Sequence, residues 1–226
     1  MHFEAQYVLQ IPEGIPVLGG IWITNTVVST WIIMAVLVLI SILLTRNLKE
    51  VPTGKQNVAE AIVGGVNDLV KQTMGEDKMY FAPYMGTLLM YLAFANLSGL
   101  LGMRPPTADL NTTFALSILT FAMTQIYGLK AKKMGYLKGF CEPFAFMLPT
   151  NIIGELANPI SLSFRLFGNI LGGVVIMALV YSALGNLAFI PVPAILHAYF
   201  DVFSGLIQTF IFVMLSMVFI AMAMDD

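Results

Sequence analysis

Three stretches of this chain, residues 21–45, 80–103 and 110–129, carry no charged side chain at all. Roughly 20 apolar residues cross a hydrocarbon layer of about 30 Å as a helix, because in lipid each backbone polar group must find its partner within the segment. Two longer apolar stretches, residues 143–180 and 192–224, are broken only by Glu155 and Arg165 in the first and by Asp201 in the second. At 1.5 Å per residue these would measure roughly 55 and 50 Å, so they are expected to tilt steeply and to form a slanted helical hairpin. The chain is 58% hydrophobic and 11% charged, far from the roughly 25% charge of soluble domains. A soluble globule is excluded. The reading is an all-α membrane protein, a single membrane domain over residues 1–226 with five spanning helices behind an outer tail, residues 1–20.

Topology follows from the eleven basic residues. Arg46, Lys49, Lys55, Lys71 and Lys78 lie between the first and second spans, and Lys130, Lys132, Lys133 and Lys138 lie between the third and fourth. Both loops are then cytoplasmic, since Lys and Arg accumulate on that side. The tail, the loop holding Arg104 and the turn 181–191 face outward, which puts the N-terminus outside and the C-terminus in the cytoplasm. Glu4 and Glu13 stand where a signal peptide would need positive charge, so none is expected, and a bacterial plasma membrane is the favoured location.

Residues 56–74 differ from the spans. Val58, Ile62, Val66, Leu69 and Val70 recur at helical spacing, with Glu60, Asn67, Asp68, Lys71 and Gln72 on the other side. This is an amphipathic helix, either lying on the inner membrane surface or packed against another subunit. The single Cys141 allows no internal disulfide. A net charge of −2 leaves no basic surplus for nucleic acid. No repeat is visible, either at the period of a solenoid or between two halves of the chain.

Arg165 is the cation that topology does not explain. An arginine at the centre of a bilayer costs about 2.5–3.5 kcal/mol and does not escape by deprotonating. On a helical wheel Asn158, Ser161, Gly168, Asn169 and Gly172 fall within about 60° of it, whereas Phe167 and Leu171 point away. The arginine thus sits on a small, polar stripe that another helix could approach closely. On the last span His197, Ser204, Gly205 and Gln208 fall within about 60° of Asp201. An acid and an imidazole one turn apart can change protonation in a water-filled path, or can simply satisfy each other in a packed core. Glu155 and Asn151 lie on the inner side of Arg165, and His197 and Asp201 towards the outer surface. Ionisable access from each side therefore stops near Arg165, as a stator beside a moving carboxylate requires.

These residues also carry a family resemblance. The run Asn158-Pro159-Ile160-Ser161-Leu162-Ser163-Phe164-Arg165-Leu166-Phe167-Gly168-Asn169 resembles the hallmark of subunit a of F-type ATP synthases. The loop Arg104-Pro105-Pro106-Thr107-Ala108-Asp109-Leu110-Asn111-Thr112-Thr113 and the run Gln208-Thr209-Phe210-Ile211-Phe212 are similar to two further signatures of that family. The match covers most of the chain from about Val58 onward. It implies a stator beside a ring of c subunits, held with the peripheral-stalk b subunits and the remainder of the ATP synthase in the membrane lipid. Proton or sodium flow through two offset half-channels would drive rotation and ATP synthesis in a separate catalytic head. The chain would have no active site, cofactor or metal of its own. Carried over residue by residue, the essential arginine is Arg165, with Asn169 and Gln208 as polar neighbours. Asp201 stands seven residues before that glutamine, where members commonly have Glu or His. Val174 replaces an ionisable residue found in some members, and Asn151 replaces a Glu shortly after the matching proline, Pro149.

Two other classes compete on the residues alone. A secondary transporter or channel could use Arg165 to bind a small anion, but would normally show broken helices in pairs and a repeat. An intramembrane hydrolase would need a serine such as Ser98 working with His197, without a supporting motif.

Overall fold

The computed structural model describes residues 7–10, 22–46, 48–51, 54–140, 144–185 and 191–225. Cys141 and most of the expected outer tail lie outside the described residues. Among the described residues five helices are long and apolar enough to cross a membrane: Asn25–Thr45, Glu76–Leu101, Leu110–Lys132, Leu148–Leu184 and Val192–Met224.

In chain order, β1 (Tyr7–Gln10) pairs antiparallel with β2 (Trp22–Thr24), a ribbon with no counterpart in the sequence reading. Helix α1 (Asn25–Thr45) follows and is the least buried span, with Trp31, Leu39 and Ile42 exposed. Helix α2 (Lys55–Met74) ends at Gly75, whose φ of 96° favours glycine. After a 3₁₀ turn over Glu76–Phe81, α3 (Ala82–Leu97) starts with Pro83 in its first turn, where no N–H is missed. The loop between α3 and the next helix contains 3₁₀ turns at Ser98–Leu101 and Pro106–Ala108.

Helix α4 (Leu110–Lys132) is capped by Asp109, whose side chain accepts from the Asn111 N–H at 3.0 Å, and carries Lys130 and Lys132 in its last turn to match the helix dipole. It stops at Lys133, a non-glycine residue with φ 52°, and the short α5 (Met134–Gly139) follows. Helix α6 (Leu148–Leu184) keeps Pro159 in its interior. A proline has no N–H, so the Glu155 carbonyl one turn earlier loses its helical partner. Tyr181, expected in the outer turn, is still helical. The last span is not one uniform helix: α7 (Val192–His197) passes through a π-helical turn over Ala198–Ser204 into α8 (Gly205–Met224).

The core joins α2, α3, α6 and α8 through Val70, Met85, Leu92, Leu166, Phe212 and Met217. The amphipathic helix packs in part against its own chain, a third arrangement beside the two expected. Val66, Val70 and Met74 bury against this chain's own α3 and α8, with Val66 pressed on Gly86 where an added Cβ would sit at 3.1 Å, while Val58 and Val63 remain exposed. Helix α4 packs on both α6 and α8 with a buried face of Thr113, Ser117, Thr120 and Thr124. Thr113 meets Ser163 at 3.1 Å and Thr120 meets Ser216 at 3.2 Å. Such pairs average about 0.6 kcal/mol in membranes, so their value lies as much in letting helices approach closely.

Candidate functional site

Helix α6 presents Arg165 outward. Ser161, Gly168 and Asn169 around it are exposed, and a Cβ added at Gly154, Gly168 or Gly172 would meet nothing within 4 Å. Among the described residues no carboxylate pairs with the guanidinium. On the adjoining side of the helix Leu162, Ser163 and Leu166 are all buried. The same helix thus has one face for the chain's core and one small-residue face that this chain leaves open.

Four residues beyond Arg165, Asn169 donates through Nδ2 to Oε1 of Gln208 on α8 at 2.7 Å. Gln208 is only 2% exposed, and its Nε2 is buried without a hydrogen-bond partner among the described residues. The amide therefore retains unspent donor capacity beside the arginine's helix.

Towards α7, the Tyr181 hydroxyl lies 3.0 Å from His197 Nε2, and His197 Nδ1 is hydrogen-bonded to Asp201. The Asp201 side chain is 13% exposed and rests against Gly99, where a Cβ would come within 3.3 Å of the carboxylate. The expected single stripe on the last span separates in two. Asp201, Gly205 and Thr209, spaced by four, turn to the end of α3 and the 3₁₀ turn after it: Asp201 to Gly99 in that turn, and the other two to Asn96 on α3. Gln208 instead faces α6. The π turn is the cause, because it takes more residues to close than an α turn and brings positions four apart into line. Ser204, half-buried, is the last residue of that turn.

On the other side of Arg165, ten residues earlier and so about 15 Å along the helix, Glu155 accepts from Gln125 Nε2 at 3.3 Å. The Tyr136 hydroxyl donates to Gln125 Oε1 at 3.1 Å. A cavity of about 10 Å³, room for roughly one water, is lined by Ser117, Thr120, Thr124, Glu155, Asn158 and Phe219. Asn158 belongs both to this cavity and to the wheel face of Arg165. Asn151 Nδ2 donates to the Phe140 carbonyl at 2.9 Å.

The structure therefore brings together Asn169 with Gln208, and His197 with Asp201, and holds Glu155 in a separate polar group. Sequence reasoning missed Tyr181, Gln125, Tyr136, Gly99 and Asn96, which reach their partners only through tertiary packing. Ser98 donates to the Ala95 carbonyl at 2.7 Å, and His197 is engaged by Tyr181 and Asp201, so no nucleophile–base pair exists between them.

Comparison with known proteins decides the family: the ATP synthase A chain family matches residues 27–221. This chain belongs to that family. The sodium ion specific ATP synthase subunit a of Propionigenium modestum is 38% identical over 243 residues, covering 100% of this chain and 81% of the relative. ATP synthase subunit a 2 of a Bradyrhizobium strain is 39% identical, covering 92% of each chain. ATP synthase subunit a of Citrifermentans bemidjiense is 40% identical, covering 87% and 86%. Membership in the ATP synthase A chain family makes this chain a multi-pass membrane subunit of an ATP synthase complex, and the expected all-α membrane fold stands.

Proposed function

We propose that this chain is the ion-translocating stator of its ATP synthase, with Arg165 facing the essential carboxylate of a c-subunit ring. The observation that carries the reading is the exposed Arg165, which has no carboxylate partner among the described residues and is set among Ser161, Gly168 and Gly172 on a face those residues do not cover. A membrane-embedded arginine needs an acidic counterpart to offset about 2.5–3.5 kcal/mol, and small residues let a partner helix carry one close. As a ring carboxylate passes, the fixed cation favours its ionised form and blocks direct leakage between the two sides.

His197 and Asp201, with Ser204, serve the outer half-channel, and Glu155 and Asn151, with Ser161, serve the inner one. Asn169 and Gln208 hold the polar surroundings of the arginine. Proton or sodium flow is coupled to rotation and ATP synthesis in the catalytic head. The N-terminus faces outward and the C-terminus the cytoplasm of a bacterial cell, and the peripheral-stalk b subunits restrain the stator.

The test is Arg165→Ala in the intact complex, reconstituted in vesicles. The variant is expected to assemble with its partner subunits and to lose ATP-driven ion pumping. Pumping at the wild-type rate would overturn the proposal.

A further inference from the structure

Helix α5 follows α4 after a single residue, Lys133, and its attachment to the spans is specific rather than incidental. Tyr136 is 9% exposed because its ring lies in a notch at Gly128 of α4, where a Cβ would meet Cε2 at 2.6 Å. Phe140 packs edge-on against that ring at 5.3 Å, and its carbonyl accepts from Asn151 on α6. Two elements thus hold the segment by different contacts, and both bring it to the end of α6 that carries Glu155.

The polar end of Tyr136 is aimed inward. Its hydroxyl donates to Gln125 Oε1, which leaves the Gln125 Nε2 hydrogens facing Glu155 Oε2. An amide can flip and a carboxylate can rotate; a phenol clamped in a notch fixes the first and, through it, the second. Burial and the nearby Glu155 charge both raise the pKa of the Tyr136 phenol, so it stays protonated and keeps its role as donor.

We propose that Tyr136 is a positioning residue for ion transfer at Glu155, acting through Gln125. This rests on the reading of Glu155 as a member of the inner route. Among the described residues, Gln125 from α4 bonds to Glu155, Tyr136 from α5 reaches it through Gln125, and Thr120 and Thr124 from α4, Phe219 from α8 and Asn158 on its own helix line the cavity with it; of these only Tyr136 titrates. Lys130 on α4 turns its ammonium over the Tyr127 ring instead. Arg165 is the cation of the same helix, ten residues on.

Tyr136→Phe keeps the ring in its notch and removes only the hydroxyl. In the reconstituted complex it is expected to assemble normally and to slow ATP-driven pumping about three- to tenfold, the worth of one hydrogen bond. The cytoplasmic-side pH profile of pumping is expected to move by about half a unit or more. In a Glu155→Gln background the same substitution should have no further effect. Gly128→Ala, which drives the ring from its notch, should reproduce the displaced profile. If Glu155→Gln impairs pumping but Tyr136→Phe leaves rate and profile unchanged, the positioning role is wrong. If Glu155→Gln itself pumps with the wild-type rate and profile, Glu155 has no part in the inner route, and the inference falls with that reading.

Discussion

Asn169 donates to Gln208 across 2.7 Å, so the α6 face that carries Arg165 is tied to α8 by a pair of neutral amides rather than by a charge. A carboxylate at either position would compete for the guanidinium and keep it from an outside partner. An amide supplies hydrogen bonds without that competition.

The two amides are expected to separate stability from function. Asn169→Ala leaves the Gln208 acceptor buried and unpaired, at about 1–3 kcal/mol, and should lower the thermal midpoint of the purified complex. Gln208→Leu removes a buried amide whose Nε2 is already unsatisfied among the described residues, so it should leave that midpoint nearly unchanged. Its ATP-driven pumping should nonetheless fall about tenfold, equivalent to roughly 1.4 kcal/mol on the barrier. Equal ranking of the two variants in both assays would contradict this account.

Along Tyr181, His197 and Asp201 the expected order of damage runs towards Arg165. Asp201→Asn keeps the shape of the side chain but removes its charge and should cost the most pumping, tenfold or more on the barrier scale of about 1.4 kcal/mol per decade. His197→Ala should cost less, and Tyr181→Phe, which removes one hydrogen bond to the imidazole, only about two- to fivefold. Initial rates in inverted vesicles give the order. A larger loss in His197→Ala than in Asp201→Asn would make the imidazole the primary relay.

The spans were legible because hydropathy acts over twenty residues and needs no tertiary information. The arginine was legible because a cation within such a stretch has no structural excuse. The π turn was not: nothing in Ala198–Ser204 marks an extra residue per turn, and a wheel at 100° per residue put Gly205 and Gln208 on one stripe with Asp201. Packing separates them, Gly205 fitting against Asn96 with a Cβ gap of 3.2 Å and Gln208 reaching α6. Tyr136 and Gln125 were hidden for a related reason. Their contact with Glu155 depends on where α5 folds back, which no local spacing encodes.

Asn96 holds the other end of that π turn and should be the most sensitive uncharged polar residue. It is 2% exposed; Nδ2 donates to the Gly205 carbonyl at 3.0 Å and to Thr209 at 2.8 Å, while Oδ1 accepts from Thr107 at 2.7 Å. Asn96→Ala orphans the buried Thr107 hydroxyl in the loop between α3 and α4 and removes two bonds to α8, where the Thr209 hydroxyl and the Gly205 carbonyl keep only each other; a loss of about 2–4 kcal/mol is expected, about 1–3 kcal/mol from the unsatisfied hydroxyl and the rest from the lost bonds. The measurement is the thermal midpoint of the complex, together with the amount of subunit retained in membranes. Asn96→Asp keeps the acceptor for Thr107 but replaces a donor with a charge, and should be no better than alanine.

Lys78 and Asp225 make the last case, because the pair is lopsided. The Lys78 side chain is 6% exposed and that of Asp225 61%, and the ion pair between them fastens the 3₁₀ turn before α3 to the end of α8. Removing the buried member also removes the charge that needed compensation, and its aliphatic stem can be replaced by a side chain of similar length. Lys78→Met should therefore be tolerated within about 1 kcal/mol, as hydrophobic replacements of buried ion pairs often are. Removing the exposed member leaves the ammonium buried and unneutralised. Asp225→Asn should cost more, about 1–3 kcal/mol, below the 3–5 kcal/mol of a fully buried pair because Asp225 is half in solvent. Thermal midpoints of the two single variants and of the double variant decide the matter. The double variant should match Lys78→Met alone, since without the buried cation the carboxylate has nothing left to neutralise, and a double variant as unstable as Asp225→Asn would show that Asp225 acts through some other contact.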